Sequence, residues 1–189
     1  MSADVRGLIL TGGASSRMGR DKAEIAYAQL PQWRALEEIL RPLCADVFWS
    51  CTPTQELQWG IGNRAIVDVL AGHGPASGLH AAFTRTSQDS LGATSAWLVV
   101  GCDYPLLETR DLQSLLQARG TDADAVVFFD EHKNEIEPMI ALWEPSAQTQ
   151  FLASFARGEF SPRRILRSCK LKLIQPRDHS ILSNRNTPA

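Results

Sequence analysis

The sequence has little excess charge of either sign. Its 189 residues carry 19 Lys and Arg against 21 Asp and Glu, which gives a formal net charge of −2. A protein that holds nucleic acid through a general electrostatic field needs a strong basic excess. The composition therefore argues against nucleic acid as a partner, and a phosphorylated ligand would have to be held by a few local cations.

Long apolar segments are also missing. The early apolar run at residues 5–10 is far too short to span a membrane or to act as a signal sequence, and the first four residues include no basic side chain. We therefore expect no association with a membrane and a cytoplasmic location.

The cysteines form no close pair. Cys44, Cys51, Cys102 and Cys169 are widely spaced, without a C-x-x-C pattern, and three of them lie in or beside apolar runs. This spacing fits neither a disulfide framework nor a zinc site. It predicts buried free thiols in a reducing compartment.

No internal repeat, linker or low-complexity segment divides the chain, so we predict one domain over residues 1–189. Apolar runs alternate with amphipathic helical patterns, which is typical of an α/β protein with a mostly parallel sheet covered by helices on both faces. Strands are predicted at residues 5–10, 47–51, 64–67, 96–100, 125–129, 138–143 and 171–174. Helices are predicted to begin at Pro31, near Ala76, before Leu112, near Ser146 and after Ser161, while Thr52 and Pro53 end the second strand and residues 55–62 form a polar loop.

Several polar residues stand at the carboxyl ends of the predicted strands. Thr11 follows the first strand, Ser50 lies near the end of the second, and Asp68 and Asp103 follow the third and fourth. Ligands of open α/β sheets bind outside the carboxyl ends of the strands. We therefore expect these residues to converge on one crevice.

The segment after the first strand is typical of a polyphosphate site. The adjacent glycines Gly12 and Gly13 let a ligand approach the backbone closely, and backbone N–H groups in such a loop form a concave nest for an anion. Arg17 and Lys22 add two cations. The spacing fits neither G-x-x-x-x-G-K-[ST] nor G-x-G-x-x-G, and a tight turn with a chance pair of basic residues is the alternative.

Residues 10–22 read L-T-G-G-A-S-S-R-M-G-R-D-K. The pattern L-x-G-G-x-S-x-R-M-G-x-D-K resembles the signature loop of the molybdenum cofactor guanylyltransferase family, and the resemblance extends from Gly7 to Pro188. It implies a three-layer α/β/α, Rossmann-like nucleotidyltransferase fold. It also implies transfer of GMP from GTP to the phosphate of molybdopterin, with release of pyrophosphate, in the biosynthesis of the guanine dinucleotide form of the molybdenum cofactor. Cytidylyl relatives tend to have Ala-Gly in place of Gly12-Gly13, which favours GTP.

The resemblance implies residue roles at the nucleotide. Asp103 is implied to bind Mg²⁺, because residues 102–106 read C-D-Y-P-L and are similar to the Cys-Asp-x-Pro segment of the family. From the residues alone Asp103 could also be a helix N-cap and Asp68 a strand-end cap. Lys22, Arg17 and Asp103 are implied to be catalytic, and nucleotide binding is implied for Leu10, Thr11, Gly12, Gly13, Lys22, Ser50, Asp68 and Asp103.

Two further motifs are implied to meet the second substrate. The G-P-A-S-G segment at residues 74–78 supplies Pro75 and Gly78, although its spacing alone fits a plain turn into a helix. The N-R-N-T-P segment near the end of the chain supplies Asn184 and Asn186.

A basic helix face could also meet an anionic substrate. Arg163, Arg164 and Arg167 share that face, and we favour a solvated surface for at least two of them. The four histidines, His73, His80, His132 and His179, show no partner pattern and receive no role.

One departure from the family keeps alternatives open. The second strand ends Ser50-Cys51-Thr52, where the family often has an asparagine facing the nucleotide, so Ser50 or Thr52 would replace it. The alternatives are a cytidylyl or sugar-phosphate nucleotidyltransferase, and a non-catalytic nucleotide-binding partner in cofactor assembly. Other molybdenum cofactor assembly proteins are the expected protein partners.

Overall fold

The computed structural model describes residues 2–11, 22–26, 29–67, 70, 72–88 and 95–184. They contain a seven-stranded sheet with the order β3-β2-β1-β4-β6-β5-β7. The strands are β1 (Ser2–Leu10), β2 (Cys44–Cys51), β3 (Ala65–Val67), β4 (Ala96–Gly101), β5 (Ala125–Asp130), β6 (Glu135–Trp143) and β7 (Leu171–Ile174).

The sheet is mostly parallel, as the sequence predicts. β1 pairs in parallel with β2 and β4, β2 with β3, and β5 with β7, whereas β6 is antiparallel to both β4 and β5. The chain moves outward from β1 to β2 and β3 and then returns to place β4 on the other side of β1. The strand order therefore reverses between β1 and β4, and a crevice for ligands is expected at such a switch point.

Helices cover both faces of the sheet and give three layers. One buried cluster contains Trp33 and Leu112, while a second contains Phe83, Phe151 and Ile165. The helices that the structure describes are α1 (Gln32–Leu40), α2 (Pro53–Trp59), α3 (Pro75–Gln88), α4 (Thr109–Gln117), α5 (Pro145–Ala156) and α6 (Pro162–Arg167). The predicted α/β/α architecture is confirmed. The predicted start of the first helix is one residue early, because Pro31 is the N-cap of α1 and not its first helical residue.

The strand β4 is the buried centre of the sheet. All six of its residues are buried, because the strand lies between β1 and β6 and is covered on both faces. The indole N–H of Trp97 on this strand donates a 2.6 Å hydrogen bond to Oγ1 of Thr86 on α3. This buried polar contact fixes α3 against the strand.

The cysteines are free thiols, as predicted, and Cys44, Cys51 and Cys102 are buried while Cys169 is half-buried. Burial raises the pKa of Cys44 to about 12 and contributes most to raising the pKa of Cys51 and Cys169 to about 11. These three thiols stay protonated at neutral pH and are poor nucleophiles. Among the described residues no helix is both long and apolar enough to cross a membrane.

The prediction of a polar loop after the second strand was wrong, because residues 53–59 form α2. Thr52 caps this helix: the backbone N–H of Gln55 donates to Thr52 Oγ1 at 3.2 Å, and the N–H of Thr52 donates to Gln55 Oε1 at 2.8 Å. The T-x-x-Q capping box is readable in the sequence. An apolar stripe cannot be read there, since Leu57 is 85% exposed. Hydrophobic periodicity therefore does not predict the helix.

Replacement of Thr52 by Ala should lower the free energy of unfolding by about 1 kcal/mol, because the amide of Gln55 loses its capping acceptor. Urea denaturation measures this change. Thr54→Ala, on the exposed first turn of the same helix, is the control and should change stability by less than about 0.5 kcal/mol. Equal losses in the two variants would contradict the capping role.

Candidate active site

The carboxyl ends of three neighbouring strands lie level with one another. Leu10 on β1 is opposite Ser50 on β2 and opposite Gly101 on β4. Cys51 is in turn opposite Val67, the last residue of β3. The residues that follow these ends therefore share one edge of the sheet, which we call the rim.

Hydrogen bonds lock the strand ends together at the rim. The backbone N–H and the hydroxyl of Thr11 both donate to the carbonyl oxygen of Ser50, at 3.1 and 2.6 Å. The N–H of Cys102 donates to the carbonyl of Leu10 at 3.2 Å. Thr11 is buried, so its side chain holds the end of β1 to β2.

The first turn of α3 rests directly on the rim. A Cβ on Gly78 would lie 2.2 Å from Oγ of Ser50 and 2.9 Å from Cδ2 of Leu10, so only glycine permits this approach. Ser50 is buried beneath the helix. The structure thus brings together Leu10 and Ser50, which the sequence assigned to the nucleotide, and Gly78, which it assigned to the second substrate.

The segment that precedes α3 is fixed by local bonds. The hydroxyl of Ser77 donates to the carbonyl of Leu70 at 2.5 Å, and Gly72 and Gly74 have φ of 97° and 57°. These values favour glycine, which suffers no Cβ clash there. The turn delivers Pro75, the exposed first residue of the helix, to the rim.

Asp103 lies at the rim next to Asn184. The side-chain N–H of Asn184 donates to Oδ2 of Asp103 at 3.2 Å, although 81 positions separate the two residues. A short 3-10 helix at His179–Leu182 positions Asn184, because its Ile181 and Leu182 are buried in the core on the α1 and α4 face. The two motifs that the sequence assigned to the nucleotide and to the second substrate therefore touch each other.

The alternative that Asp103 is a helix N-cap was wrong. The N-cap of α4 is Glu108, whose N–H donates to Oδ2 of Asp111 at 2.9 Å. Asp103 is partly exposed and lies outside any described helix. Its carboxylate faces the rim, where a ligand can reach it.

A polar pair, the buried Tyr104 and the half-buried Glu137, supports the turn that carries Asp103. The hydroxyl of Tyr104 hydrogen-bonds to the carboxyl of Glu137 on β6, whose Oε1 also accepts the N–H of Met139 at 3.1 Å. Burial raises the pKa of both side chains, and the neighbouring carboxyl raises that of Tyr104 further. The Tyr104 ring lies where a Cβ on Gly101 would meet it at 3.3 Å. Two strands therefore fix the backbone on either side of Asp103.

Sequence reasoning missed Glu137. The predicted strand began at Pro138, but β6 begins at Glu135 and its pairing with β5 shifts register after Val127. A register shift of this kind re-aims side chains and is common beside active sites. The available signal was an acidic residue directly before Pro138, a residue that cannot donate to the sheet.

Two of the three predicted basic residues are engaged by carboxylates. Arg163 pairs with Glu135, and its charge partly offsets the rise that burial causes in the pKa of Glu137. Arg164 pairs with Glu159 at 3.6 Å. This fits the surface interpretation for Arg164, whereas Arg163 lies beside the pair that supports Asp103.

Several predicted site residues lie outside the described part of the chain: Gly12, Gly13, Arg17, Asp68 and Asn186. Lys22 begins a 3-10 turn at Lys22–Glu24, and its side chain is likewise not described. Their roles stay predictions. Val67, the last described residue before Asp68, ends β3 at the rim.

The donor set at the rim suits a metal that takes few protein ligands. No group of three or more His, Cys, Asp or Glu side chains able to hold a metal is found in the ranges that the structure describes. Mg²⁺ commonly binds one or two carboxylates and completes its shell with phosphate oxygens and water. Asp103, partly exposed at the rim, fits that requirement.

Polar residues at the switch point of a three-layer α/β/α fold indicate a nucleotide-binding protein. The sequence model of the MobA-like NTP transferase domain matches residues 7–174, and the chain belongs to that family, which makes it a nucleotidyltransferase. A molybdenum cofactor guanylyltransferase of Pseudomonas paraeruginosa is 32% identical over 189 residues, covering 96% of this chain and 89% of the relative.

Two further proteins are similar. A molybdenum cofactor biosynthesis bifunctional protein of Synechocystis is 30% identical over 96% of this chain, which spans only 51% of that protein. The crystal structure of molybdopterin-guanine dinucleotide biosynthesis protein A from Archaeoglobus fulgidus has a TM-score of 0.75 over 97% of this chain and 93% of its own, with 20% identity. That structure supports the fold.

Gly78→Ala should lower the free energy of unfolding by about 1–3 kcal/mol, because the new methyl group meets Ser50 and Leu10. The same change in a Ser50→Ala background should cost at least about 0.5 kcal/mol less, since the closest contact is then absent. Chemical denaturation of the four proteins measures this coupling. Additive costs would show that α3 does not rest on Ser50.

Proposed function

We propose that this chain transfers GMP from GTP to the terminal phosphate of molybdopterin and releases pyrophosphate. The observation that carries the proposal is the 3.2 Å contact between Asp103 and Asn184 at the rim. One residue belongs to the nucleotide motif and the other to the second-substrate motif. A phosphoryl group bound beside this contact would be within reach of both substrates.

The reaction needs no nucleophile from the protein. An oxygen of the molybdopterin phosphate attacks the α-phosphorus of GTP, a new P–O bond forms, and the bond to the β-phosphate oxygen breaks, so that pyrophosphate leaves with the electron pair. Catalysis then consists of positioning and charge stabilisation. The hydrogen-bonded ends of β1, β2 and β4 support positioning, because they give the rim a fixed geometry.

Charge stabilisation is assigned to few groups. Lys22 and Arg17 would neutralise the departing pyrophosphate, Lys22 as a point charge and Arg17 as a planar fork. Asp103 would hold a divalent metal ion, which we take to be Mg²⁺; when bound, this ion supplies positive charge to the phosphate oxygens. Asn184 donates to Asp103 and would keep that carboxylate oriented.

GTP is favoured over other nucleotides on two grounds. Relatives about 30% identical over most of the chain are called molybdenum cofactor guanylyltransferases. The loop also carries Gly12-Gly13, where cytidylyl relatives tend to have Ala-Gly. Molybdenum cofactor assembly proteins are the proposed partners, and the cytoplasm is the proposed location.

A nucleotide panel tests the choice of substrate. With Mg²⁺ present, GTP should raise the thermal unfolding temperature more than CTP, UTP or ATP, because a ligand at about 100 times its Kd adds about 2.7 kcal/mol to stability. Pyrophosphate should then appear only when molybdopterin is supplied, and mass spectrometry should find the guanine dinucleotide. A larger shift with CTP would indicate a cytidylyl enzyme. Tight GTP binding without pyrophosphate release would indicate a non-catalytic partner.

Asp103→Asn should lower the rate of Mg²⁺-dependent pyrophosphate release by about 100-fold or more, because it removes a charge and keeps the side-chain shape. The matched control is Asp122→Asn, an exposed residue in the connection that leads to β5 at the opposite edge of the sheet. Circular dichroism should show both variants folded. Turnover that survives in Asp103→Asn would remove this residue from the catalytic site.

A further inference from the structure

Four aromatic rings from two separate parts of the chain meet beside α3. The ring of His73 stacks on Phe160 with centroids 3.9 Å apart and planes at 30°. Phe155 packs against Phe160 at 4.9 Å and against His73 at 5.7 Å, and His80 lies 4.4 Å from Phe155. We call these four residues the aromatic platform.

The topology places the platform at the rim. His73 stands two residues before Pro75, in the turn that delivers α3 to the carboxyl ends of the strands. Because β6 is antiparallel to its neighbours, α5 begins at the far edge of the sheet and ends at the rim with Phe155 and Ala156. Phe160 follows in the connection to α6.

Phe160 is the exposed member of the platform, while His73, His80 and Phe155 are half-buried. Among the described residues five large hydrophobic side chains are exposed, and three of them, Leu70, Leu106 and Phe160, stand in connections at the rim. Leu70 precedes the turn with His73, and Leu106 follows Asp103 closely. Apolar surface gathered around a polar site is typical of a ligand-binding cleft.

Packing between α3 and α5 does not account for Phe160. Phe151 is fully buried and already joins the core between these helices, and Phe155 and His80 extend that contact. Phe160 is 36% exposed. Its outer part is therefore free to accept a flat ligand in the way that bases stack on aromatic side chains.

Neighbouring contacts connect the platform to the proposed reaction centre. Phe160 lies three residues before Arg163, which pairs with Glu135 and acts electrostatically on Tyr104, the residue after Asp103. Ser50, one of the residues assigned to the nucleotide, lies on β2, on the side of β1 that is away from β4 and β6. A ring on the platform would thus approach the rim beside a nucleotide bound over β1 and β2.

We propose that the aromatic platform receives the planar pterin ring of the second substrate, with Phe160 and His73 as the residues that contact it. This inference rests on the proposed function and adds a subsite to it. The ring stacks on Phe160, and the phosphate of the same molecule extends toward Asp103 and Asn184. The platform selects an acceptor that carries a flat ring over an acceptor that has only a phosphate.

Steady-state kinetics with molybdopterin as the varied substrate test the subsite. Phe160→Ala should raise the KM for molybdopterin about tenfold, because one stacking contact is lost. Its kcat and its KM for GTP should stay within about twofold of the original values, as expected for a group that binds only the second substrate. Phe160→Tyr keeps a ring and should retain the original KM for molybdopterin. His73→Ala should raise that KM, as Phe160→Ala does.

Two further variants separate stacking from folding. Phe160→Leu retains an apolar side chain and should still raise the KM, since it removes the flat face. Leu57→Ala removes an exposed apolar side chain from α2 and should leave all constants unchanged. Thermal unfolding checks that each variant is folded.

The outcomes distinguish this subsite from the reaction itself. Suppose that the unchanged protein makes the dinucleotide. If its KM for molybdopterin is then unaltered in Phe160→Ala, Phe160→Leu and His73→Ala, the platform is not the pterin site. Equal rises in the KM for GTP and for molybdopterin would also overturn it, since they indicate a structural role. If the unchanged protein makes no dinucleotide from molybdopterin and GTP, the proposed function fails and the subsite fails with it.

Discussion

The level alignment of the ends of β1, β2 and β4 is the constraint on which the rest of the site depends. Leu10 is paired with Ser50 on one side and with Gly101 on the other, so the three strands end level with one another. A shift of one residue would turn every side chain of a strand to the other face. In β4 such a shift would turn Trp97 away from Thr86, to which its indole N–H is hydrogen-bonded, so the packed core fixes where Ser50 and Asp103 stand.

The antiparallel direction of β6 brings further residues to the rim. In a parallel unit the helix after a strand begins at the carboxyl edge and runs away from it, but α5 follows an antiparallel strand and runs toward it. This reversal brings Glu137, Arg163 and Phe160 to the same edge as Asp103. A single change of strand direction therefore joins an apolar surface to a polar crevice.

The Tyr104 and Glu137 pair shows that positioning is favoured over stability at this point. Burial disfavours the charged form of each side chain, and an apolar pair of similar size would avoid that cost. The hydrogen bond between them joins β6 to the turn after β4 and limits the freedom of Asp103. Departures from the best local packing are expected where a site needs fixed geometry.

The sequence by itself determined the approximate strand positions, the mostly parallel α/β class and the family, because the apolar runs and the motif at residues 10–22 are local patterns. It did not reveal α2, since that helix depends on a cap at Thr52 and not on an apolar stripe. Only the tertiary structure decided the direction of β6, the contact between Asp103 and Asn184, and the stacking of His73 on Phe160. The two side-chain contacts join residues 81 or more positions apart, and they form only because two buried faces of one sheet fix the chain between them.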